Sequence, residues 1–234
     1  MSEQYSPTGF RVLPPVVKHL LIINVLLYLA TFTMNRFQID LTDYLGLHFF
    51  KASDFRAYQL ITYMFMHGNF EHLFFNMFAL WMFGNTLENI WGSKRFLWFY
   101  MLCGIGAGLC QEVVQYIQYV TTLAQYDSVN FGGGQVISMA NYLNMLNTVG
   151  ASGAIYGLLL AFGMMFPNSM IYLYFFVPIK AKWFVIGYAV IELVSGFIGG
   201  GNVAHFAHLG GMLFGLILIL VWKKKGKLYG DQIF

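Results

Sequence analysis

The chain has 234 residues, of which 58% are hydrophobic and 10% charged, with 24 Phe, 15 Tyr, 5 Trp and 13 Met. A soluble domain carries about a quarter charged residues, so this composition excludes an ordinary soluble enzyme and points to a polytopic membrane protein. The net charge of +3 is small, and its distribution along the chain says more than its sum.

Residues 1–14 are polar and run into Pro14-Pro15. Val16 to Met34 then gives about 19 mostly apolar residues, enough to cross roughly 30 Å of hydrocarbon. The run is too long for a signal peptide and no small-x-small cleavage site follows, so a retained first span is expected. Residues 35–66 mix aromatic and charged side chains and read as a partly helical segment in the interface. A second span is expected from His67 to Glu88, followed by a Trp91-Gly92-Ser93-Lys94-Arg95 turn and a third span from Phe96 to Tyr119. Residues 120–149 are polar, contain Gly132-Gly133-Gly134 and carry no Lys or Arg. A fourth span runs from Ser152 to Phe166 and stops at Pro167; a fifth and sixth cover about 183–198 and 203–222. The expected fold is an all-α polytopic membrane protein with six transmembrane helices. Residues 1–14 form an N-terminal tail, 15–222 the spanning domain and 223–234 a basic C-terminal tail. Cys103 and Cys110 lie seven apart in one helical run, about 10 Å along its axis, too far for a disulfide.

Lysine and arginine orient the bundle. Ten of the thirteen (Arg11, Lys18, Lys94, Arg95, Lys180, Lys182, Lys223, Lys224, Lys225 and Lys227) fall on one side of a six-span arrangement, and Arg36, Lys51 and Arg56 on the other. By the positive-inside rule both termini are cytoplasmic, and the Ser152 end of the fourth span lies near the outer face. The C-terminal lysines suit anionic lipid headgroups. No repeat, low-complexity tail or nucleic-acid signature is present.

Gly150-Ala151-Ser152-Gly153-Ala154-Ile155-Tyr156-Gly157 opens the fourth span with small residues and one serine in its first turn. Gly150 can adopt a backbone conformation closed to other residues. The free N–H groups of a first helical turn lie at the positive end of the helix dipole, so an oxyanion forming on a carbon bonded to Ser152 would meet donors already in place. The same octapeptide also suits plain helix packing.

Polar side chains at membrane depth are costly and need an explanation. His72 and Asn76 are four apart and share one helical face; His67 is rotated about 140° from His72 and is expected at the interface. In the sixth span His208, Gly211 and Gly215 share a face that can approach a partner helix closely while presenting one imidazole. Three readings stand. One is a Ser–His hydrolase with His208 as base for Ser152 and His72 and Asn76 as oxyanion donors. Another is a metal site from His67, His72, His205 and His208, without any zincin spacing or nearby cysteine to support it. The third is polar residues that only join helices. Glu192 is the one intramembrane acid in the same half of the bilayer, and nothing in its spacing aims it at His208, so the hydrolase reading is a dyad. The α/β-hydrolase elbow is excluded, because it needs glycine where Ala154 stands.

These residues resemble the rhomboid intramembrane serine proteases. Gly150-Ala151-Ser152-Gly153 with Tyr156 is similar to the family's nucleophile motif, His72 with Asn76 to its oxyanion pair, and Ala207-His208 with Gly211 and Gly215 to its base motif. Gly84, Glu88, Gly92 and Arg95-Phe96 resemble the turn after its second span. The likeness covers about residues 15–222. It implies a six-helix core, cleavage of transmembrane protein substrates near their outer ends, and no cofactor or metal. It also implies that Tyr156 stacks on His208, that His205 is a rim residue, and that Phe75 and Phe197 gate lateral substrate access. The chain departs from the pattern at Tyr58-Gln59, where many relatives have Trp-Arg, and in its longer 120–149 loop. A catalytically silent relative that binds transmembrane helices, and a transporter using the same histidines, are the alternative functions. Short tails and the lack of a targeting extension suggest a bacterial plasma membrane.

Overall fold

The computed structural model describes residues 9–130, 134–173, 176–198, 204–226 and 228. Four helical stretches are long and apolar enough to cross a membrane: Pro15–Phe37, Ser93–Leu123, Ala181–Ile198 and His205–Lys224. The chain is therefore a helical polytopic membrane protein. The other two expected spans take different forms. Ser152–Met165 is apolar but only 14 residues long, about 21 Å of helix. The expected second span is a helical rod assembled from Phe70–Ala79, a π-helical turn at Leu80–Gly84, and Asn85–Trp91. Its polar residues His72, Asn76, Asn85, Glu88 and Asn89 lower its hydropathy below that of a plain lipid-facing span.

The helix bearing His208 (His205–Lys224) packs between the Ser93–Gln118 helix and the Ser152–Met165 helix, and small residues set the separations. Lipid tails are as apolar as leucine, so close van der Waals contact drives membrane helices together. A Cβ on Gly211 would overlap the carbonyl of Gly153, and one on Gly215 would lie 3.2 Å from Gly157 Cα. Gly157 in turn sits against Cys103, where an added Cβ would be 2.6 Å from the sulfur, and Gly210 sits against Cys110. Both cysteines are free and act as small packing residues.

The connections at 35–66 and 120–149 are more structured than the sequence suggests. The interfacial segment contains 3-10 turns at Asn35–Phe37 and Tyr63–Phe65 and short helices at Leu41–Leu45 and Gln59–Thr62. The 120–149 loop folds into an antiparallel ribbon, Ser128–Asn130 with Val136–Ser138, and a helix at Met139–Met145. Its Gly132 and Gly133 lie outside the described residues, as do the glycine-rich 199–201 loop and Lys227. The two connections join through pairing of Leu47 with Thr148 and His48 with Asn147, and through a small core of Phe49, Ala52 and Leu143. Gln59 is fully buried: its amide nitrogen donates to Asp54 O at 3.0 Å and its amide oxygen accepts from Arg56 N at 2.9 Å. An uncharged side chain thus ties this loop together by using both ends of its amide. A second hairpin, Met170–Leu173 with Val177–Lys180, separates the Ser152 helix from the Ala181–Ile198 helix.

At the opposite end, buried Glu88 accepts hydrogen bonds from Val16 N (2.9 Å), Val17 N (2.8 Å) and the Ser93 hydroxyl (2.6 Å). The carboxylate supplies acceptors to the unpaired first turn of the Pro15–Met34 helix and locks it to the turn that begins the Ser93 helix. Glu88→Ala is expected to cost about 2–4 kcal/mol by leaving these donors unpaired, read as a lowered unfolding midpoint in detergent. Gly211→Ala is expected to lower that midpoint as well, because a backbone carbonyl cannot yield as a side chain does. Gly187→Ala, with nothing within 4 Å of the added carbon, should leave it unchanged or slightly raised.

Candidate active site

The peptide before Ser152 is held from two sides. Gly150 N–H donates to Tyr63 O at 2.9 Å, and the Tyr63 hydroxyl donates to Gly104 O at 2.6 Å, which anchors the loop to the central Ser93–Gln118 helix. Gly150 has φ +129°, a conformation that side chains disfavour, and a Cβ there would also come within 2.7 Å of His72 Nε2. Only glycine allows the chain to turn at this point with an imidazole directly against it. Ala151 caps the helix and Ser152 is its first residue, with its N–H among the unpaired donors of the first turn.

His208 lies across the helix contact. Its Nε2 is 2.7 Å from Ser152 Oγ. The Tyr156 ring, one turn after the serine, is stacked on the imidazole with centroids 4.3 Å apart and planes at 6°. Gly153, next to the serine, and Gly211, one turn after His208, permit this approach.

Glu192 reaches the site from the Ala181–Ile198 helix, which the spacing did not suggest. Its Oε1 is 3.0 Å from His208 Nδ1, and its Oε2 is 2.7 Å from His205 Nδ1. The Tyr156 hydroxyl donates to the same Oε1 in a short hydrogen bond. The His208 contact is close but bent, since the Nδ1–H does not point along the line to the oxygen and forms no hydrogen bond of ordinary angle. Although the spacing aims no acid at His208, in the structure a carboxylate stands behind the imidazole. His205, expected at the rim, is bonded to that carboxylate. His205 and His208 lie one turn apart on one helix, but no sequence period relates them to Tyr156 or Glu192, which come from two other helices and meet them only through packing.

On the other side of Ser152, His72 lies against Gly150. Its backbone N–H donates to the capping Asn69 side chain at 2.8 Å, which sets where the helix begins. Asn76 is buried, and its amide donates back to His72 O at 2.9 Å, within its own helix. His67 differs from expectation. It precedes the helix start, so helical rotation does not apply to it, and it is buried edge-on against His72 with centroids 5.0 Å apart. Phe75 and Phe197 are both largely exposed on the bundle flank; Phe75 packs against Phe74, and Phe197 against Phe206. The four-histidine metal set is not assembled. Among the described residues the group able to offer three ligand atoms to a cation is Glu192, His205 and His208, with those atoms within 4.8 Å of one another.

The arrangement can perform acid–base chemistry at a serine hydroxyl beside unpaired backbone donors. The Rhomboid domain family model matches residues 54–225, the stretch that contains every residue just described. RHOMBOID-like protein 12, mitochondrial, from Arabidopsis thaliana is 28% identical over 77% of this chain and 48% of its own length. Rhomboid-like protein 11, chloroplastic, from the same organism is 28% identical over 83% of this chain and 66% of its own length. A putative rhomboid protease of Bacillus subtilis is 28% identical over 74% of this chain and 71% of its own length. The chain thus spans about half to two thirds of the two plant relatives, and the relatives' names distribute over mitochondrial, chloroplastic and bacterial proteins without singling out the bacterial membrane expected from the sequence. With the family model covering most of its length, this chain is an integral membrane protein of the rhomboid family.

Proposed function

We propose that the chain is an intramembrane serine endopeptidase that hydrolyses peptide bonds in or near the transmembrane helices of other membrane proteins. The observation that carries this reading is the 2.7 Å approach of His208 Nε2 to Ser152 Oγ at the positive end of a helix. The Ser152 oxygen attacks the scissile carbonyl carbon while its proton passes to His208 Nε2. The oxyanion is stabilised by the backbone N–H of Ser152 and by His72, with Asn76 joining after its amide leaves the His72 carbonyl. The imidazolium then protonates the leaving amine as the C–N bond breaks. Water, deprotonated by the same nitrogen, hydrolyses the acyl-enzyme and returns the proton to Ser152. These steps use only side chains, one backbone N–H and water.

A helical substrate shields its own peptide bonds, so it must unwind over Ser152, more easily where it carries glycine or other poor helix formers. We place its lateral approach on the flank between Phe75 and Phe197, where both rings are exposed. Six crossings with both termini cytoplasmic complete the reading; the uneven distribution of lysine and arginine supports it, and it puts Ser152 near the outer face.

In lipid, the purified chain is expected to cleave a generic single-span substrate, with product lost in Ser152→Ala and in His208→Ala. Product that persists without the Ser152 hydroxyl contradicts the mechanism, and a folded parent that cleaves none of several substrates favours helix binding without hydrolysis. His72→Ala is expected to lower kcat by about 10²-fold with little change in KM, because it removes a donor used in the transition state. Asn76→Ala should cost less, since its amide is already bonded within its own helix.

A further inference from the structure

The Glu192 carboxylate is arranged as helix packing alone would not require. It is 6% exposed, and its two oxygens face three donors from two other helices: the Tyr156 hydroxyl and His208 Nδ1 at Oε1, and His205 Nδ1 at Oε2. A buried carboxylate costs several kcal/mol unless its lone pairs are satisfied and a charge answers it. Tyr156 holds both members at once, with its ring on the imidazole and its hydroxyl on the carboxylate, so the two move as a unit.

We propose that Glu192 and His205 form a positioning relay behind His208. The relay rests on the reading of Ser152 and His208 as nucleophile and base. Glu192 keeps the proton of neutral His208 on Nδ1, which leaves Nε2 free to accept the serine proton. When that proton arrives, the imidazolium carries a full charge 3.0 Å from Glu192 Oε1. No proton passes to the carboxylate; its contribution is electrostatic and is larger than in water because the surroundings are apolar. The Nδ1 contact, 3.0 Å long and without a hydrogen bond of ordinary angle in the resting state, straightens as the charge develops. His205 donates to the other oxygen and stops the carboxylate from swinging away. His205 therefore has a task that the Ala207-His208 motif does not describe.

The test combines substrate kinetics in lipid with the rate at which a fluorophosphonate, a small serine-directed probe, labels Ser152. Glu192→Gln is expected to lower kcat and the labelling rate together, by about 10²-fold or more, with KM within about twofold of the parent, because an amide nitrogen facing Nδ1 favours the wrong tautomer. His205→Ala is expected to lower both by about tenfold, and His205→Asn, whose side-chain amide can donate in place of Nδ1, to recover most of that loss. If Glu192→Gln does not fold, the two His205 variants carry the test alone. Parental kcat and labelling in Glu192→Gln overturn the relay, as does a His205→Asn protein no better than His205→Ala. Parental labelling in His208→Ala overturns the base assignment itself, so the two failures are told apart.

Discussion

The backbone contact between the Ser152 and His208 helices is the constraint on which the site depends. Gly153 meets Gly211 and Gly157 meets Gly215, so the two helices touch through their main chains over a full turn. Side chains at the adjoining N-terminal ends of such a pair are brought within hydrogen-bond distance without reaching, and the 2.7 Å separation of His208 Nε2 and Ser152 Oγ follows. In a membrane no water is expelled to drive this association, so shape must supply it, and one added methyl group on Gly211 would force a shift of backbone. The Ser93–Gln118 helix completes the clamp, since Cys103 and Cys110 fill the space beside Gly157 and Gly210.

Buried charge is used at both ends of the molecule in different ways. Glu88 answers main-chain donors and fixes where two helices begin. Glu192 answers ionisable side chains, and its three donors come from Tyr156, His205 and His208, beside Ser152 in the candidate site. The first can be satisfied permanently. In the proposed mechanism the second must tolerate a neighbouring imidazole that changes charge with every turnover, and the bent Nδ1 contact leaves room for that.

Much of the site was legible in the sequence, for reasons that differ residue by residue. Ser152 stood out because a serine between glycines opens an apolar run, and Gly211 and Gly215 because their spacing matches one helical face with His208. The spans at Pro15–Met34 and His205–Lys224 follow from hydropathy alone. What could not be read depends on contacts between helices. Glu192, on a separate helix, carries no shared period with His208, so their meeting is a product of packing; His205 lies one turn before His208, but only the packed carboxylate gives it a partner. His67 was misplaced because the helix begins at Phe70 under the Asn69 cap, after the histidine. The hairpins were hidden by shortness: strands of three or four residues, such as Met170–Leu173, are too brief to display an alternation that stands clear of the apolar background.

A bifunctional acylating agent tests the central claim most directly: it acylates a nucleophilic serine and then unmasks a group that alkylates any imidazole within bonding reach. Applied to the protein in lipid and read by peptide mapping, it is expected to give one adduct joining Ser152 to His208, and none in the Ser152→Ala protein. An adduct on Ser152 that alkylates another residue instead, or acylation that proceeds at the parental rate in His208→Ala, would contradict a site built on the contact of these two helices.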